Sequence, residues 1–596
     1  MASKNFFKQF DYLYKTSCAI IHEFGIRYFL RFGISQIKNQ KLDLLKLKAE
    51  YESKSIPEKI IDKKTQYDLW IKKQKLHSSI DVEHFTLKPK ICFIILLPKS
   101  ITTLSIKNSI QSIFKQSYAN WELLILTTKA TYEQVQNLII SQSYDEQKIK
   151  TIQIENTDNF SLTQLSSYIT GDFVSFLTPE ITIISDCLNY FVSELNDFPT
   201  SDLLYSDEER ISENGSSPLP FFKPDWSPYL LQSINYIGNF FFIRKTFLLD
   251  LGKTHNFGVE SIFNLFYICS EHTHNIHHIS KILFASSEKN LSDNTYSKII
   301  LNSLQRKNIS SKIRDNLNDQ KYKIDFDLNN EPKVSIIIPT KNNKTLLSKC
   351  IRSLEYNTNY KNFEIIIVDN NSQEDETKSY LSSLPYTVLN YDDKFNFSKI
   401  NNLAVSKSSG EYLLFLNDDT EALVPNWLHE MVSICQQKDV GAVGAKLLYN
   451  DKTIQHAGMV FLKNGFFFHP FHKKPSKNNE EFNLINTLRE CSSVTGACLL
   501  TKRKIFDDVK GFDELFDVYY GDSDLCFKIR KLEYSVIFTP FAILHHDGSS
   551  TIREQSKIFI PVENFYDFVR KWPNVKNGDP YYNPNFLYDY SLDLSN

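Results

Sequence analysis

The sequence predicts an α/β protein with two tandem domains, each built on a mostly parallel sheet, preceded by a helical N-terminal segment. Short apolar runs at 91–97 and 334–338, each stopping at a proline or just before one, are typical of buried strands. A helix-like stretch, a second strand and a third strand follow each run in the same order. From the proline to the acidic residue after the third strand is 82 residues in one copy and 80 in the other. This agreement predicts a repeat with a period of about 240 residues.

Five segments follow along the chain. Because strands and helices alternate within each repeat, we expect helices on both faces of each sheet. A polar stretch with few apolar residues separates the repeats, which indicates a linker. The expected bounds are 1–85 for a basic helical extension, 86–290 for the first repeat, 291–331 for the linker, 332–560 for the second repeat and 561–596 for a C-terminal tail.

The composition is that of a packed globular protein. Of the 596 residues, 42% are hydrophobic and 23% are charged, which excludes a mainly disordered chain. The net charge of −2 gives no argument for a nucleic-acid partner. The nine cysteines are scattered without a CxxC pair, so a reducing cytoplasmic location is expected and no zinc site or disulfide framework follows. No apolar run approaches the ~20 residues of a membrane span, and the N-terminus lacks a signal-peptide core.

The first 80 residues are basic, with 16 Lys/Arg against 8 Asp/Glu. The stretch from Phe6 to Phe32 mixes apolar and basic side chains and is expected to be helical. Two interpretations remain open, and the first is favoured. The helices pack on the next domain, or they make peripheral contact with the anionic inner face of the cytoplasmic membrane.

Acidic residues follow two of the expected strands in the second repeat. Asp418 and Asp419 come directly after the apolar strand of GEYLLFLNDDT at 410–420. Ligands of open α/β sheets bind at that edge, and paired carboxylates there suit Mg²⁺ or Mn²⁺ together with diphosphate oxygens. Asp369, at the end of EIIIVD, could accept hydrogen bonds from a base or ribose. The alternatives are an Asp-rich turn for the pair and an Asx turn for Asp369.

Further candidates lie at a helix start and after a later strand. Asp522 and Asp524 open a helix-like stretch, where a carboxylate caps the helix or acts as a general base. His545 follows an apolar strand and could be a third metal ligand. His456, in the sequence QHAG, is either structural or part of the site.

The order of these features makes residues 333–553 similar to glycosyltransferase family 2, whose members have the GT-A fold. The resemblance is closest to bacterial transferases that build surface polysaccharides, including rhamnosyltransferase-like ones. The matching stretches are VSIIIPTKNN (334–343), EIIIVDNNS (364–372), FNFSKINN (395–402), GEYLLFLNDDT (410–420), WLHEM (427–431), VGAVGAKLLY (440–449), QHAG (455–458), SSVTGACLL (492–500), GFDELF (511–516) and GDSDLCFKIR (521–530).

The resemblance implies an inverting, metal-dependent transfer from a nucleotide-sugar donor, UDP- or dTDP-linked, to a glycan or lipid-linked glycan acceptor. Mn²⁺ or Mg²⁺ would be the cofactor, and Asn417 departs from the first Asp of the family's usual metal motif. The implied roles are nucleotide binding for Pro339, Thr340 and Asp369, metal binding for Asp418, Asp419 and His545, general base for Asp522, and an acceptor-side or structural position for Asp524 and His456.

The first repeat resembles the same family but has lost its characteristic side chains. Thr127 stands at the position of Asp369, and Thr178-Pro179-Glu180 replaces Asn417-Asp418-Asp419. Glu260 is the sole carboxylate where a base is expected, although an acidic cluster at 207–209 could still bind a ligand. We therefore expect a degenerate, non-catalytic or acceptor-binding domain. The alternatives are a two-site glycan polymerase and a glycan-binding scaffold without catalysis.

Overall fold

The computed structural model describes residues 63–76, 80, 84–97, 102–155, 160–161, 165–211, 218–253, 256–257, 262–287, 293–317, 320–477, 481–548 and 562–586. Most of the predicted basic segment, together with Glu260, lies outside these described residues. The described chain divides into two compact units. The first unit comprises residues 63–327 and the residues from 580 onward, and the second comprises residues 328–579.

The first unit is a mixed sheet covered by helices. Its strands run in the order β3-β2-β1-β5-β9-β7-β11-β6, with β8 beside β7. Its strands are β1 Ile91–Leu96, β2 Trp121–Thr127, β3 Ile149–Gln153, β4 Phe160–Ser161, β5 Phe173–Leu177, β6 Thr182–Ile183, β7 Leu203–Ile211, β8 Leu219–Phe221, β9 Phe241–Arg244, β10 Asn256–Phe257, β11 Ile276–Ser287, β12 Ser311–Leu317 and β13 Gln320–Phe326. Its helices are α1 Lys63–Leu76, α2 Thr103–Phe114, α3 Lys129–Ser141, α4 Cys187–Asp197, α5 Pro228–Ser233, α6 Lys245–Gly252, α7 Ile262–His272 and α8 Asp293–Arg306.

The second unit has a sheet of the order β16-β15-β14-β17-β24-β19-β25-β18, with β20 beside β19 and β23 beside β25. Its strands are β14 Val334–Thr340, β15 Phe363–Asp369, β16 Thr387–Asn390, β17 Tyr412–Leu416, β18 Thr420–Ala422, β19 Val440–Leu448, β20 Ile454–His456, β21 Val460–Phe461, β22 Phe467–Phe468, β23 Arg489–Glu490, β24 Cys498–Lys502 and β25 Ser535–His546. Its helices are α9 Lys344–Tyr356, α10 Asp375–Ser383, α11 Phe397–Ser406, α12 Trp427–Cys435, α13 Arg503–Asp508, α14 Gly521–Lys531 and α15 Val562–Lys571, with 3₁₀ helices at Glu481–Asn486 and Pro573–Asn577.

The two sheets have the same topology. In each, the first strand pairs in parallel with the second and with the strand before the acidic turn, and one strand pairs antiparallel with that last strand. The central strands β1, β5 and β17 are buried along their whole length, and β14 everywhere except Pro339, because helices cover both faces of the sheet. The predicted α/β class with mostly parallel pairing is therefore confirmed.

A salt bridge at the amino end of the sheet recurs in both units. In the first unit Lys90 Nζ lies 2.9 Å from Glu122 Oε2, and in the second Lys333 Nζ lies 2.7 Å from Glu364 Oε2. Each glutamate also accepts a backbone N–H from the turn before the next strand. The two pairs occupy equivalent strands, so the repeats share their tertiary contacts as well as their strand order.

A glycine completes each of these amino-end turns. A Cβ on Gly171 would lie 2.7 Å from the backbone nitrogen of Cys92, and a Cβ on Gly410 would lie 2.5 Å from that of Ser335. Both distances are too short for a side chain, so only glycine lets the turn approach the neighbouring strand.

The polar stretch that was predicted to be a linker is ordered structure. Residues 293–326 contain α8 and the antiparallel hairpin of β12 and β13, and they group with the first unit. In β13, Tyr322, Ile324 and Phe326 alternate with polar residues, and in β12 Ile313 and Leu317 lie on the same face, which is the pattern of a strand pair with one covered face. The low overall hydrophobicity of the segment concealed this alternation.

The predicted extension and tail also contribute to the units. In α1, Tyr67 and Trp70 are buried, with the Tyr67 hydroxyl 2.9 Å from Glu209 Oε1 and the Trp70 ring against Phe222. The last part of the basic segment is therefore a helix that packs in the first unit, while the stretch from Phe6 to Phe32 lies outside the described residues. Residues 562–579 of the predicted tail belong to the second unit, and the described residues from 580 belong to the first.

Candidate active site

The carboxyl ends of the strands that carry the predicted site meet at one edge of the second sheet. Strand β14 is parallel to β15 and to β17, and β19 is parallel to β25. Because β24 is antiparallel to both β17 and β19, these two strands also point the same way. The loops after all five parallel strands therefore gather at this edge, where ligands of open α/β sheets bind.

Asp418 is held at this edge by side chains of the loop after β14. Its Oδ2 accepts a hydrogen bond from Thr340 Oγ1 at 2.7 Å and one from Asn343 Nδ2 at 3.1 Å. Burial raises the pKa of Asp418 to about 7, and the adjacent negative charge of Asp419 acts in the same direction, against the two hydrogen bonds. Two neighbouring carboxylates in a dry position are costly when both are ionised, so a cation at this point would stabilise them.

Asp419 is paired with the histidine next to the predicted one. Its Oδ1 lies 3.1 Å from Nε2 of His546, and both side chains are more than nine-tenths buried. His545, which the sequence singled out, instead has its Nδ1 3.8 Å from Oε1 of Glu421. The pairing of β18 with β25 explains the difference, because Thr420 lies opposite His546 and Glu421 opposite His545.

The predicted nucleotide-binding residues sit side by side on β14 and β15. Thr340 and Asp369 are register partners at the ends of these parallel strands, and Pro339 precedes Thr340. Asp369 Oδ1 accepts hydrogen bonds from the backbone N–H of Ser372 at 3.0 Å and from its hydroxyl at 2.5 Å. Asp369 therefore forms the local turn that was the alternative interpretation, while remaining partly exposed at the sheet edge.

Asp522 lies in the first turn of α14 and is fixed by backbone donors. The N–H of Gly496 donates to its Oδ2 at 2.9 Å and the N–H of Ser523 to its Oδ1 at 2.7 Å. Burial raises the pKa of Asp522 despite these hydrogen bonds. The acidic first turn and the basic last turn of α14 both match the helix dipole, which helps to explain why a helix starts here.

The segment 496–497 connects Asp522 to the paired carboxylates. While Gly496 binds Asp522, the carbonyl of Ala497 accepts the N–H of Asn417 at 3.1 Å, immediately before Asp418. Gly496 was not identified from the sequence. A Cβ at this position would lie 2.9 Å from Cζ of Phe397 and 3.5 Å from Cβ of Asp522, so the close packing needs glycine.

Asp524 has a structural environment. It is fully buried, and its Oδ1 accepts a hydrogen bond from Nε1 of Trp572 at 2.9 Å and lies 2.8 Å from Nζ of Lys571. Nζ of Lys528 is 3.7 Å from the other oxygen. Of the two roles considered for Asp524, these contacts favour the structural one, in which it attaches the end of α15 to α14.

His456 is fully buried and belongs to a pair of imidazoles. Its Nδ1 lies 3.0 Å from Nδ1 of His469, and its Nε2 accepts the N–H of Gly458 at 3.3 Å. Burial lowers the pKa of both imidazoles, to about 4 for His469. His469 was not selected from the sequence, because it lies in the aromatic stretch 466–471, which is typical of a core segment.

The chemistry of these donors fits a divalent cation with a partial protein shell. Asp419 and His546 offer a carboxylate oxygen and an imidazole nitrogen close together, with the buried carboxylate of Asp418 adjacent. Among the described residues there is no cluster of three or more His, Cys, Asp or Glu with the geometry of a metal site. A cation held by few protein groups suits Mg²⁺ or Mn²⁺, which keep positions for substrate phosphates and water.

In the described part of the first unit, other residue types stand at the positions of the two aspartates and the histidine. Pairing of β11 with β6 and of β25 with β18 aligns Glu180 with Asp419 and Ser286 with His546. Thr127, at the position of Asp369, is buried with its hydroxyl 2.6 Å from that of Thr131. The histidine is thus missing as well as the aspartates.

The acidic cluster at 207–209, predicted to be able to bind a ligand, is already partnered. Asp207 is bound by Nε2 of His278 at 2.9 Å and by Nδ2 of Asn583 at 3.0 Å. Glu208 contacts Arg210 at 2.7 Å, and Glu209 accepts the Tyr67 hydroxyl. These carboxylates are structural.

Within the described part of the chain, the helices are all too short or too polar to cross a bilayer.

One family model matches most of the second unit. Residues 335–510 match the family model of glycosyl transferase family 2. Over 501 residues the chain is 33% identical to the O-antigen biosynthesis protein RfbC of Myxococcus xanthus, covering 80% of this chain and 39% of that protein. Over 502 residues it is 31% identical to the uncharacterized protein y4gI of Sinorhizobium fredii, covering 80% of this chain and 55% of that protein. The chain thus spans between two fifths and somewhat over half of these relatives' length.

Among solved structures, similarity extends to the mannosyltransferase PcManGT of Pyrobaculum calidifontis in complex with GDP-Man and Mn²⁺. The sequence identity is 17% and the TM-score 0.28, over 37% of this chain and 59% of that chain.

Proposed function

Residues 335–510 are a glycosyltransferase family 2 domain, and on this premise we propose that the chain transfers a sugar from a nucleotide-diphosphate sugar to a hydroxyl of a surface-glycan acceptor. Catalysis takes place in the second unit. The proposal is carried by two contacts of the segment 496–497. The N–H of Gly496 binds Asp522, and the carbonyl of Ala497 binds the N–H of Asn417, next to Asp418. A candidate base and a candidate diphosphate site are thereby fixed to each other.

In this mechanism Asp522 removes the proton from the acceptor hydroxyl as the hydroxyl attacks the anomeric carbon, and the configuration is inverted. The backbone N–H groups of Gly496 and Ser523 orient the carboxylate, while burial raises its pKa and makes it a better proton acceptor. Thr340 and Asn343 hold Asp418 in place. Bound Mn²⁺ or Mg²⁺, held by Asp419 and His546 with Asp418 adjacent, would supply positive charge for the diphosphate leaving group. Pro339, Thr340 and Asp369 lie at the strand ends proposed to line the nucleotide pocket.

The first unit is proposed to be non-catalytic and to support or bind the acceptor. This is supported by Thr127, Pro179, Glu180 and Ser286, which stand at the positions of Asp369, Asp418, Asp419 and His546. The alternative, a two-site polymerase, would need a second set of such groups. The donor is a UDP- or dTDP-linked sugar, and the acceptor is a growing or lipid-linked glycan. The name of the Myxococcus xanthus relative, an O-antigen biosynthesis protein, supports a surface glycan.

A donor screen tests the proposal. Full-length protein is incubated with Mn²⁺ or Mg²⁺ and a panel of UDP- and dTDP-sugars, and released nucleoside diphosphate is measured for the wild type, Asp522→Asn and the control Asp508→Asn. Asp508 is exposed and pairs only with Lys504 nearby, so this control keeps the same chemical change away from the site. Metal-dependent release that Asp522→Asn abolishes and Asp508→Asn preserves supports the proposal. Activity retained in Asp522→Asn would show that another residue is the base. If calorimetry detects no binding of UDP or dTDP to the wild type, the proposed function is rejected.

Peripheral membrane contact through the basic segment is proposed for residues 1–62. The truncated variant used in the test retains helix α1, because Tyr67 and Trp70 pack in the first unit. A variant that starts at residue 63 should lose binding to vesicles containing phosphatidylglycerol. Equal binding of the truncated and full chains would contradict the membrane role.

A further inference from the structure

His456 and His546 lie on the same face of the second sheet. Leu447 on β19 is the register partner of His456 on β20 and of Leu544 on β25. Register partners point to the same face, and so does the residue two positions along a strand, which here is His546. With neighbouring strands about 4.8 Å apart, the two imidazoles lie on the order of 10 Å from each other. His469, which bonds to His456, is therefore on the side of the sheet that carries His546.

The hydrogen bonds of the imidazole pair fix the position of each proton. The backbone N–H of Gly458 can only donate, so Nε2 of His456 accepts and carries no hydrogen. The hydrogen of His456 is then on Nδ1, which donates to Nδ1 of His469. His469 must accept there, and its own hydrogen is on Nε2.

This Nε2–H of His469 is directed away from the buried partner. His456 is fully buried, whereas His469 is partly exposed. Because Nδ1 of His469 contacts His456, the nitrogen left to bind a ligand is Nε2. Burial lowers the pKa of both imidazoles, which keeps them uncharged. His469 is thus a neutral imidazole that presents a donor of fixed direction.

We infer that His469 is a further ligand-binding residue, whose Nε2–H donates to an oxygen of the nucleotide-sugar. The inference rests on the proposed function. The acceptor is either an oxygen of the diphosphate or a hydroxyl of the sugar, both of which accept from a neutral N–H. His456 is a positioning residue, because it keeps the hydrogen of His469 on Nε2.

Two conservative substitutions separate this role from a structural one. In His469→Asn the amide replaces the ring at the Nδ1 position, so the contact with His456 is kept and the outward donor is lost. In His469→Gln the amide nitrogen reaches the Nε2 position, so the donor is kept and the inner contact is lost. A purely structural histidine would tolerate Asn better than Gln, whereas a ligand-binding histidine would tolerate Gln better than Asn.

The experiment uses the full chain with Mn²⁺, and the probes are UDP, dTDP and the nucleotide-sugar that is active in the donor screen. Losing one hydrogen bond to the ligand should weaken binding by about tenfold in His469→Asn, with the melting temperature unchanged. If Nε2–H of His469 donates to a diphosphate oxygen, the loss of affinity is seen with the nucleoside diphosphate alone. If it donates to a sugar hydroxyl, only the KM for the nucleotide-sugar increases. His469→Gln should recover most of the affinity in whichever of these two measurements His469→Asn impairs.

The assignment of His469 is overturned if His469→Asn behaves as the wild type in both arms, or if His469→Gln is impaired as much as His469→Asn. Asp419→Asn is measured alongside. If it abolishes metal-dependent binding while both His469 variants are normal, the proposed function stands and only this inference fails. If the wild type binds neither UDP nor dTDP, both the proposed function and the inference are rejected.

Discussion

Nε2 of His546 lies 3.1 Å from Oδ1 of Asp419, while Nδ1 of the preceding His545 lies 3.8 Å from Oε1 of Glu421. Successive side chains of a strand point to opposite faces, so the two neighbouring imidazoles contact different residues. Of the two histidines, it is His546 that contacts a carboxylate proposed to hold a divalent cation.

The first prediction compares the two histidines. His546→Ala should weaken Mn²⁺-dependent binding of UDP or dTDP by roughly 10–100-fold, because it removes a nitrogen that contacts the Asp419 carboxylate. His545→Ala is the matched control and should leave the affinity unchanged. Isothermal calorimetry with and without Mn²⁺ measures both. A larger effect of His545→Ala would show that the other histidine holds the cation.

Gly496 sets the second prediction. In Gly496→Ala the new Cβ would lie 2.9 Å from the Phe397 ring and 3.5 Å from Cβ of Asp522, so the ring or the carboxylate must move. A displaced base lowers turnover, and we expect a loss of roughly 10–100-fold with little change in nucleotide binding. The measurement is the rate of nucleoside diphosphate release at saturating donor.

A compensating substitution controls this experiment. Replacing Phe397 by Leu shortens the side chain that the new methyl group meets. Gly496→Ala with Phe397→Leu should therefore recover part of the lost rate relative to Gly496→Ala alone. No loss of rate in Gly496→Ala would mean that the packing around Asp522 is not needed for catalysis.

Asp524 gives a prediction about stability. Asp524→Asn removes the buried charge that binds Lys571, but Lys571 is 30% exposed and keeps Asp513 as a partner. Losing a hydrogen bond to a charged group typically costs about 1.5–3 kcal/mol, which is the destabilisation we expect. The exposed pair of Asp508 and Lys504 is the control, and Asp508→Asn should change the free energy of unfolding by less than about 1 kcal/mol. Urea denaturation of the full chain measures both variants. Equal effects would contradict the buried contact.

The contacts of the two repeats show which part of the ancestral domain persisted. At the amino end of the sheet, the pair Lys90–Glu122 corresponds to Lys333–Glu364. At the carboxyl end, Glu180 and Ser286 replace Asp419 and His546. This amino-end contact is therefore common to both units, while at the described carboxyl end of the first unit other residue types stand at the positions of Asp419 and His546.

A fourth prediction follows from this difference. Glu180→Gln and Ser286→Ala in the first unit should leave the rate of sugar transfer unchanged, whereas Asp419→Asn in the second unit should abolish it. The measurement is product formation with the active donor and acceptor. Loss of one of two products in Glu180→Gln would instead support a two-site polymerase.

The sequence predicted the fold and the paired carboxylates because both are local features. The strands are continuous apolar runs, and Asp418 and Asp419 directly follow one of them. The choice between His545 and His546 could not be made locally, since it depends on the register of β25 with β18 and on the bulge after Ala445. Gly496 depends on a ring about 100 residues away, so no neighbouring residue indicates its role.

The hairpin of β12 and β13 was missed for a related reason. Its average composition is polar, and the linker prediction relied on that average. The alternation of apolar and polar positions across Ile313 and Ile324 was the available signal, because period two indicates a strand even when few residues are apolar.

The last prediction concerns the pH dependence of the first unit, where His278 is buried between Asp207 and Asp225. Burial lowers the pKa of His278, but the two carboxylates outweigh it and raise the pKa to about 9. Against an unfolded pKa of about 6.5, the folded state holds an extra proton between these values. The stabilisation is complete below pH 6.5 and is lost as the pH rises through 9, with a slope of at most about 1.4 kcal/mol per pH unit.

Lys223, in the same cluster, acts with the opposite sign at higher pH. Burial lowers its pKa to about 8, so above that pH the unfolded state holds more protons and stability rises with pH. Glu194 in the same unit, whose pKa burial raises to about 7, also loses its proton between pH 6.5 and 8. The contribution of His278 is therefore the difference between the wild type and His278→Gln. Hydrogen exchange of the β7 and β11 peptides, corrected for the intrinsic rate, should show protection falling more steeply across this interval in the wild type than in the variant, because only the variant lacks the imidazole that bridges Asp207 and Asp225. An equal slope in both proteins would contradict the assignment to His278.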